Sequence, residues 1–326
     1  MTNSIGPESP APAVAAPPAV AAPPALAALR AVLPFLRCPV CGHALHPADR
    51  SLRCPAGHDF DVGRGGYVNL RTGRTRRVVG DSAVMVAARE SFLGGGHYGP
   101  LTARLAQIAH PVPGGPSGLS GPFGPPGRVI LDIGAGTGHH LAGVVGARPD
   151  AVGLAVDVSK YALRRAARAH PRIGAVSFDV AAPWPVADHA VAVLLDVFAP
   201  RNLAQMHRVL RPDGLLIVVT PGPGHLAELH GPLGLVGIQA GKSDRLDERT
   251  TGRFEPIIVE HVDVPLTLNT EQIVDLALMG PTGHHRAPDQ LRRRAETAFP
   301  GSATVTARFQ IRGYRPLPVP PVAGGR

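Results

Sequence analysis

Between residues 128 and 220 five short apolar runs alternate with stretches of helical periodicity, and few folds accept that pattern. The runs are 128–133 (RVILDI), 151–157 (AVGLAVD), 174–179 (GAVSFD), 190–197 (AVAVLLDV) and 214–220 (GLLIVVT). Their apolar residues are nearly continuous, as in strands buried on both faces, and helices near 138–147, 159–169 and 201–210 supply the covering layers. Buried strands alternating with helices predict an α/β fold, a Rossmann-like doubly wound parallel sheet. Residues 223–311 read less regularly, with more helix and the antiparallel strands that close the sheet.

The first strand runs into Asp132-Ile-Gly134-Ala-Gly136-Thr137-Gly138 and then a helix. Glycines there let the backbone take positive φ and approach a ligand closely. In a doubly wound sheet this turn lies at the carboxyl edge, where ligands bind. Alone the turn is a weak signal, but the next two strands end in Asp157 and Asp179. A carboxylate at Asp157 can accept the hydroxyls of a ribose, and Asp179 is placed for an adenine amino group. Three acidic strand ends suit S-adenosylmethionine, which carries sulfonium and ammonium charges and no pyrophosphate. Asp132 then faces the cationic methionine end. The chain is therefore expected to carry a class I methyltransferase sheet.

Two further turns belong to the same edge. The fourth strand leads into Asp196-Val-Phe198-Ala-Pro-Arg-Asn202, where Asp196 is the candidate to take a proton and Phe198 to wall a base pocket. The fifth ends in Thr220-Pro-Gly-Pro-Gly-His225, and His225 is a candidate cofactor contact.

All three cysteines cluster near the amino terminus, in the spacing Cys38-x2-Cys41-x12-Cys54-x3-His58. An odd, tight set argues against a disulfide framework and for a metal. Two short-spaced pairs on separate turns can close a tetrahedron around zinc, a zinc ribbon in which four protein ligands leave no open position for catalysis. His43 and His46 compete for the fourth place, although His58 fits the pair spacing better. Arg37, Arg50, Arg53, Arg64, Arg71, Arg74, Arg76 and Arg77 surround this module, and the chain carries a net charge of +9. Both suit a polyanionic partner such as RNA.

The expected organisation has five parts: a disordered Ala/Pro leader (1–34), a zinc-binding RNA-recognition module (35–70) and a segment of basic connector, helix and Pro/Gly-rich linker (71–127). The methyltransferase domain (128–311) and a flexible tail (312–326) follow. Within 81–110, Val84, Ala87, Ala88, Leu101, Leu105 and Ile108 mark the helical pattern, broken by GGGHYGP. The leader lacks the basic patch and unbroken apolar helix of a secretory signal, so a cytoplasmic protein is expected.

The chain resembles the 23S ribosomal RNA guanine-N1 methyltransferases, most of all the branch that confers resistance to tylosin and related macrolides. The resemblance rests on CPVCGHAL…LRCPAGHDFDVGRGGYVNL, GDSAVMVAARESFLGGGHYGPL, ILDIGAGTGHHLA, LAVDVSKYALRRAARAHP, VFAPRN, RVLRPDG and VVTPGPGHLAEL. It covers about residues 36–110 and 128–230 and weakens afterwards. It implies zinc on Cys38, Cys41, Cys54 and His58, and cofactor contacts at Tyr98, Gly136, Thr137 and His225, with Asp157 on the ribose. It also implies a 23S rRNA hairpin loop as substrate and a homodimer. On this reading Tyr98 or Phe198 stacks on the target base. Two alternatives share the fold: a small-molecule methyltransferase of natural-product metabolism, and a non-catalytic zinc-dependent RNA-binding protein. The zinc module and basic connector speak against the first, the intact glycine turn and Asp157 against the second.

Overall fold

The computed structural model describes residues 24–73, 79–109, 128–235 and 244–318. The linker 111–127 and the connector arginines Arg74, Arg76 and Arg77 lie outside them.

The chain opens with α1 (Pro24–Val32) and a small antiparallel sheet of β1 (His46–Ala48), β2 (Ser51–Arg53) and β3 (Asp59–Asp61). Strand β4 (Tyr67–Asn69) and helices α2 (Ala83–Gly94) and α3 (Gly99–Ile108) follow. The alternating unit is β5 (Arg128–Ile133), α4 (His139–Gly146), β6 (Ala151–Val156), α5 (Lys160–Ala169), β7 (Ile173–Ser177), β8 (Val191–Val197), α6 (Leu203–Val209) and β9 (Leu210–Pro221). After α7 (Ala227–Leu233) and α8 (Asp244–Thr250), the long strands β10 (Phe254–Asn269) and β11 (Ser302–Pro316) flank α9 (Thr270–Leu278) and α10 (Pro288–Ala298).

The main sheet has the order β10-β11-β9-β8-β5-β6-β7-β4. Strands β9 through β4 run parallel, and β11 and β10 add to β9 in antiparallel fashion. This is the expected doubly wound α/β sheet with its closing strands. Strand order reverses at β5, between β6 on one side and β8 on the other, and such a reversal opens a crevice at the carboxyl ends. Strands β5 and β7 are buried along nearly their whole length, as continuous apolar runs require.

Three boundaries differ from the sequence expectation. The leader is not disordered to residue 34, because α1 packs on β6 and β7. Leu29 and Val32 on α1, and Leu33 and Leu36 in the 3-10 turn and extended residue that follow it, are buried, an apolar set that the Ala/Pro background obscures. Gly174 in β7 permits this close approach, since a Cβ there would lie 2.5 Å from Val32 Cγ2 and 3.2 Å from the Ala28 carbonyl. The tail does not begin at 312. Residues 312–316 pair with β10, and Tyr314 is wholly buried with its hydroxyl donating to Asp247 Oδ1 at 2.7 Å. Removing a buried aromatic of this kind costs about 3–5 kcal/mol. The zinc module, finally, does not run to residue 70 by itself, because β4, inside its expected bounds, joins the main sheet beside β7. In α2 the buried residues are Met85, Val86, Ala88, Phe92 and Leu93, whereas Val84 and Ala87 point outward.

Candidate active site and metal centre

In the amino-terminal module Cys38, Cys41, Cys54 and His58 present ligand atoms that all lie within 4.8 Å of one another. Cys41 Sγ is 3.6 Å from Cys54 Sγ, and His58 Nδ1 is 3.3 Å from Cys54 Sγ and 3.7 Å from Cys38 Sγ. Tetrahedral zinc with its usual bond lengths sets such separations at roughly 3.8 Å for S···S and 3.6 Å for S···N. The donor set therefore fits zinc. His43 Nδ1 contacts Cys41 Sγ at 3.2 Å from an exposed position outside the set, and His46 is exposed on β1. Turns formed by Gly42 and Gly57, both at positive φ, bring each ligand pair inward. Of the arginines around the module, Arg53 is paired with Asp59, and Arg37 donates to the carbonyls of Pro34 and Leu36.

At the carboxyl edge of the main sheet, Gly134, Gly136 and Gly138 all take positive φ. Gly134 also meets the turn after β8 so closely that a Cβ would sit 2.7 Å from that of Ala199. Asp157 braces the glycine turn: one carboxylate oxygen accepts from Gly136 N at 2.9 Å, the other from Ser159 N at 2.8 Å. Burial pushes the Asp157 carboxyl up, against the two amides that favour its charged form. Thr137 is buried beside it.

Asp132 and Asp196 lie on neighbouring strands but on opposite faces of the sheet, since the register sets Asp132 opposite Leu195 and Ile133 opposite Asp196. Burial, and then the charges of Asp196 and Asp157, push the Asp132 carboxyl well above the usual carboxylate range. Burial also pushes the Asp196 carboxyl up to about 7, opposed by Arg201. Arg201 Nε lies 3.2 Å from Asp196 Oδ1, close enough for attraction but without the alignment of a hydrogen bond. Asp196 was expected on the substrate side of the cleft. Its side chain is instead 0% exposed, covered by its own turn and Arg201, so a substrate atom meets it only when that turn shifts.

Phe198 stands at the cleft mouth, 44% exposed and at φ 59°, a conformation that costs a non-glycine residue energy and that gathers at functional sites. Its ring lies 5.9 Å from Phe309 and 6.2 Å from His225, and Phe309 in turn packs edge-on at 4.8 Å from Tyr98. Tyr98 is only 3% exposed, wedged between Phe92 and Phe309, so it cannot stack on an incoming base as it stands; Phe198 can. His225 Nδ1 lies 2.6 Å from the Arg308 carbonyl, and burial holds its pKa below the ordinary imidazole value.

Asp179 is set apart, past the end of β7. Its Oδ1 accepts from Ala181 N at 2.9 Å, and it borders a cavity of about 100 Å³ shared with Pro39, Leu70, Thr72, Phe178 and Pro183. Sequence reasoning missed Phe309, Arg201 and Arg89. Phe309 is one apolar residue among many in an alternating strand, and both arginines lie inside quoted motifs, GDSAVMVAARESFLGGGHYGPL and VFAPRN, without a spacing that gives either a role.

Residues 36–71 match the family model for the RlmA N-terminal zinc ribbon, and residues 130–214 that for a methyltransferase domain. The chain is 50% identical over 296 residues to a Micromonospora griseorubida protein named as a 23S rRNA (guanine-N(1)-)-methyltransferase, covering 88% of this chain and 99% of that one. It is 45% identical over 287 residues to the 23S rRNA (guanine(748)-N(1))-methyltransferase of Streptomyces fradiae, with the same coverage. A Bacillus subtilis protein with the first name is 36% identical over 200 residues, covering 59% of this chain and 66% of its own.

Proposed function

The chain belongs to the 23S rRNA (guanine-N1)-methyltransferases, and from that premise we propose that it transfers a methyl group from S-adenosylmethionine to N1 of a guanine in a 23S rRNA hairpin loop. The observation that carries the reading is the placement of buried Asp132 and half-buried Asp157 at the glycine turn, where Asp157 accepts from Gly136 N. Burying like charges together is costly unless a cation answers them, and the donor brings both a sulfonium and an ammonium. On this reading Asp157 holds the ribose, Asp132 faces the methionine end, Asp179 lies toward the adenine, and Gly134, Gly136, Thr137 and Gly138 line the donor. Tyr98 and His225 border the sulfonium side. The donor supplies an electrophilic methyl and loses its positive charge on transfer, so the apolar wall of Tyr98 and Phe309 favours the transition state.

The acceptor base comes from a loop whose nucleotides can splay out and stack on an aromatic ring. Phe198 offers that ring, held outward by its strained backbone. Arginines of the zinc module contact phosphates, which position RNA without reading its sequence. The name of the Streptomyces fradiae relative places that protein's guanine at 748, which supports the equivalent guanine as the target here. Methylation there would confer resistance to macrolides of the tylosin class. A cytoplasmic location and a homodimer belong to the same proposal. Among the described residues no helix is long and apolar enough to cross a membrane.

Mass-spectrometric mapping of 23S rRNA from cells with and without the gene tests the reading. One N1-methylguanine gained with the gene supports it. An unchanged RNA together with label from the donor appearing in small metabolites would replace it with the small-molecule alternative.

Guanine N1 carries a proton that must leave, and Asp196 is the proposed acceptor once its turn opens. With a carboxyl near 7, its basic form grows as pH rises through that value. The single-turnover rate should therefore climb with pH below about 7 and level off above it. Asp196→Asn should bind donor normally, slow transfer and abolish that inflection. The same inflection in the variant would remove Asp196 from the proton path.

A further inference from the structure

A cation lies directly on the glycine turn, brought there from a distant stretch of the chain. A Cβ on Gly136 would sit 3.1 Å from Arg89 Nη1 and 3.2 Å from Arg89 Cδ, so the Arg89 side chain, reaching over from α2, covers the bare face of that glycine. Three chain segments fix it there. Arg89 Nη1 donates to the Asp81 carboxylate, and Nη2 donates to the Met279 carbonyl at 2.6 Å. The Asp81 carbonyl accepts from Ser159 Oγ at 2.7 Å, which ties the arrangement to the turn after β6. The Arg89 side chain stays 24% exposed, and the five N–H donors of its guanidinium are not exhausted by two partners.

Charge complementarity says what those donors are for. The methyl donor has two positive groups and one negative group, its α-carboxylate. The acids at the strand ends suit the positive groups and repel the carboxylate. Among the described residues, Arg201 lies against the buried carboxylate of Asp196, and Arg308 donates to the Gly224 carbonyl beside Asp263. Arg89 is in contact with the turn itself, and a guanidinium fork matches a carboxylate in shape as well as charge.

We propose that Arg89 binds the α-carboxylate of the methyl donor, with Asp81 and the Met279 carbonyl as the groups that aim it. The assignment rests on the reading that the donor occupies this cleft. It gives α2 and the end of α9 a role in donor recognition, since both hold the same guanidinium.

Calorimetric titration separates this role from that of a structural strut. The ligands are S-adenosylhomocysteine and 5′-methylthioadenosine, which keeps the adenosine and the thioether sulfur but lacks the amino-acid end. Arg89→Gln should weaken S-adenosylhomocysteine by about 10- to 100-fold, as expected for a lost charge-assisted contact, and leave methylthioadenosine within about twofold. Equal losses for both ligands, or no loss for either, would overturn the proposal. Should that variant fail to fold, the wild-type protein decides with decarboxylated S-adenosylhomocysteine, which keeps the amine. Binding as tight as that of the parent compound overturns the assignment, and a loss of about tenfold or more supports it. Wild-type protein that binds none of these ligands would instead refute the donor cleft.

Discussion

Cys54→Ser protein should purify with far less than one zinc per chain and lose rRNA methylation, while its main sheet stays folded and still binds S-adenosylhomocysteine. The reason is the size of the module. Its own sheet consists of three three-residue strands, and Leu45 and Leu52 with the buried thiols of Cys38 and Cys54 make up most of its interior. That is too little apolar surface to offset the entropy of ordering the chain. A structural zinc ion contributes about 10–16 kcal/mol of apparent binding energy at neutral pH, and in such modules binding energy is folding energy. By contrast β5, β6, β8 and β9 draw their stability from burial on both faces and contain no metal ligand. Zinc content, donor titration and methylation of rRNA fragments measure the three parts separately. A variant that keeps stoichiometric zinc, or that methylates RNA at the wild-type rate, would contradict the site.

The second large effect is expected from Asp157→Ala, which should reduce donor affinity by at least about 100-fold, the sum of several charge-assisted hydrogen bonds. Two losses act together. The ribose loses its acceptor, and the amides of Gly136 and Ser159 lose the oxygens that hold the glycine turn and the start of α5 in place. Asp157→Asn keeps one acceptor and should fall between. A 2′-deoxyribose analogue of S-adenosylhomocysteine divides the two contributions. It should bind wild-type protein more weakly than the parent compound, and the difference should shrink in the variant. An undiminished difference would take Asp157 off the ribose.

How far the site was legible depended on range. The glycine turn, the acid after each of the first strands and the ligand spacing of the zinc module are local signals. Each is a short stretch whose φ angles or donor geometry are dictated by neighbouring residues. The four metal candidates accordingly converge in space, and Asp132 and Asp157 lie at the turn. Asp196 was visible as a strand-end acid, but its full burial and its approach to Arg201 depend on how the following turn folds back. Tyr98 was readable as part of the cleft, whereas its wedging between Phe92 and Phe309 comes from a strand more than 200 residues away in the chain. Compositional bias misled at both ends: a buried apolar set hidden in Ala/Pro text at Leu29–Leu36, and a buried strand end read as a frayed tail at Arg312–Pro316.

By itself, then, the amino-acid sequence determined the alternation of buried strands and helices, the conformation of the glycine turn and the four candidate metal ligands. These follow from periodicity and from short-range sterics, which act within a few residues. Tertiary structure alone decided that Arg89 bonds to Met279, 190 residues distant, across the glycine turn, that Phe198 and not Tyr98 meets solvent, and that β4 binds the zinc module to the main sheet. Such pairings arise where separate elements are pressed together by burial, and no local pattern encodes which partners will meet.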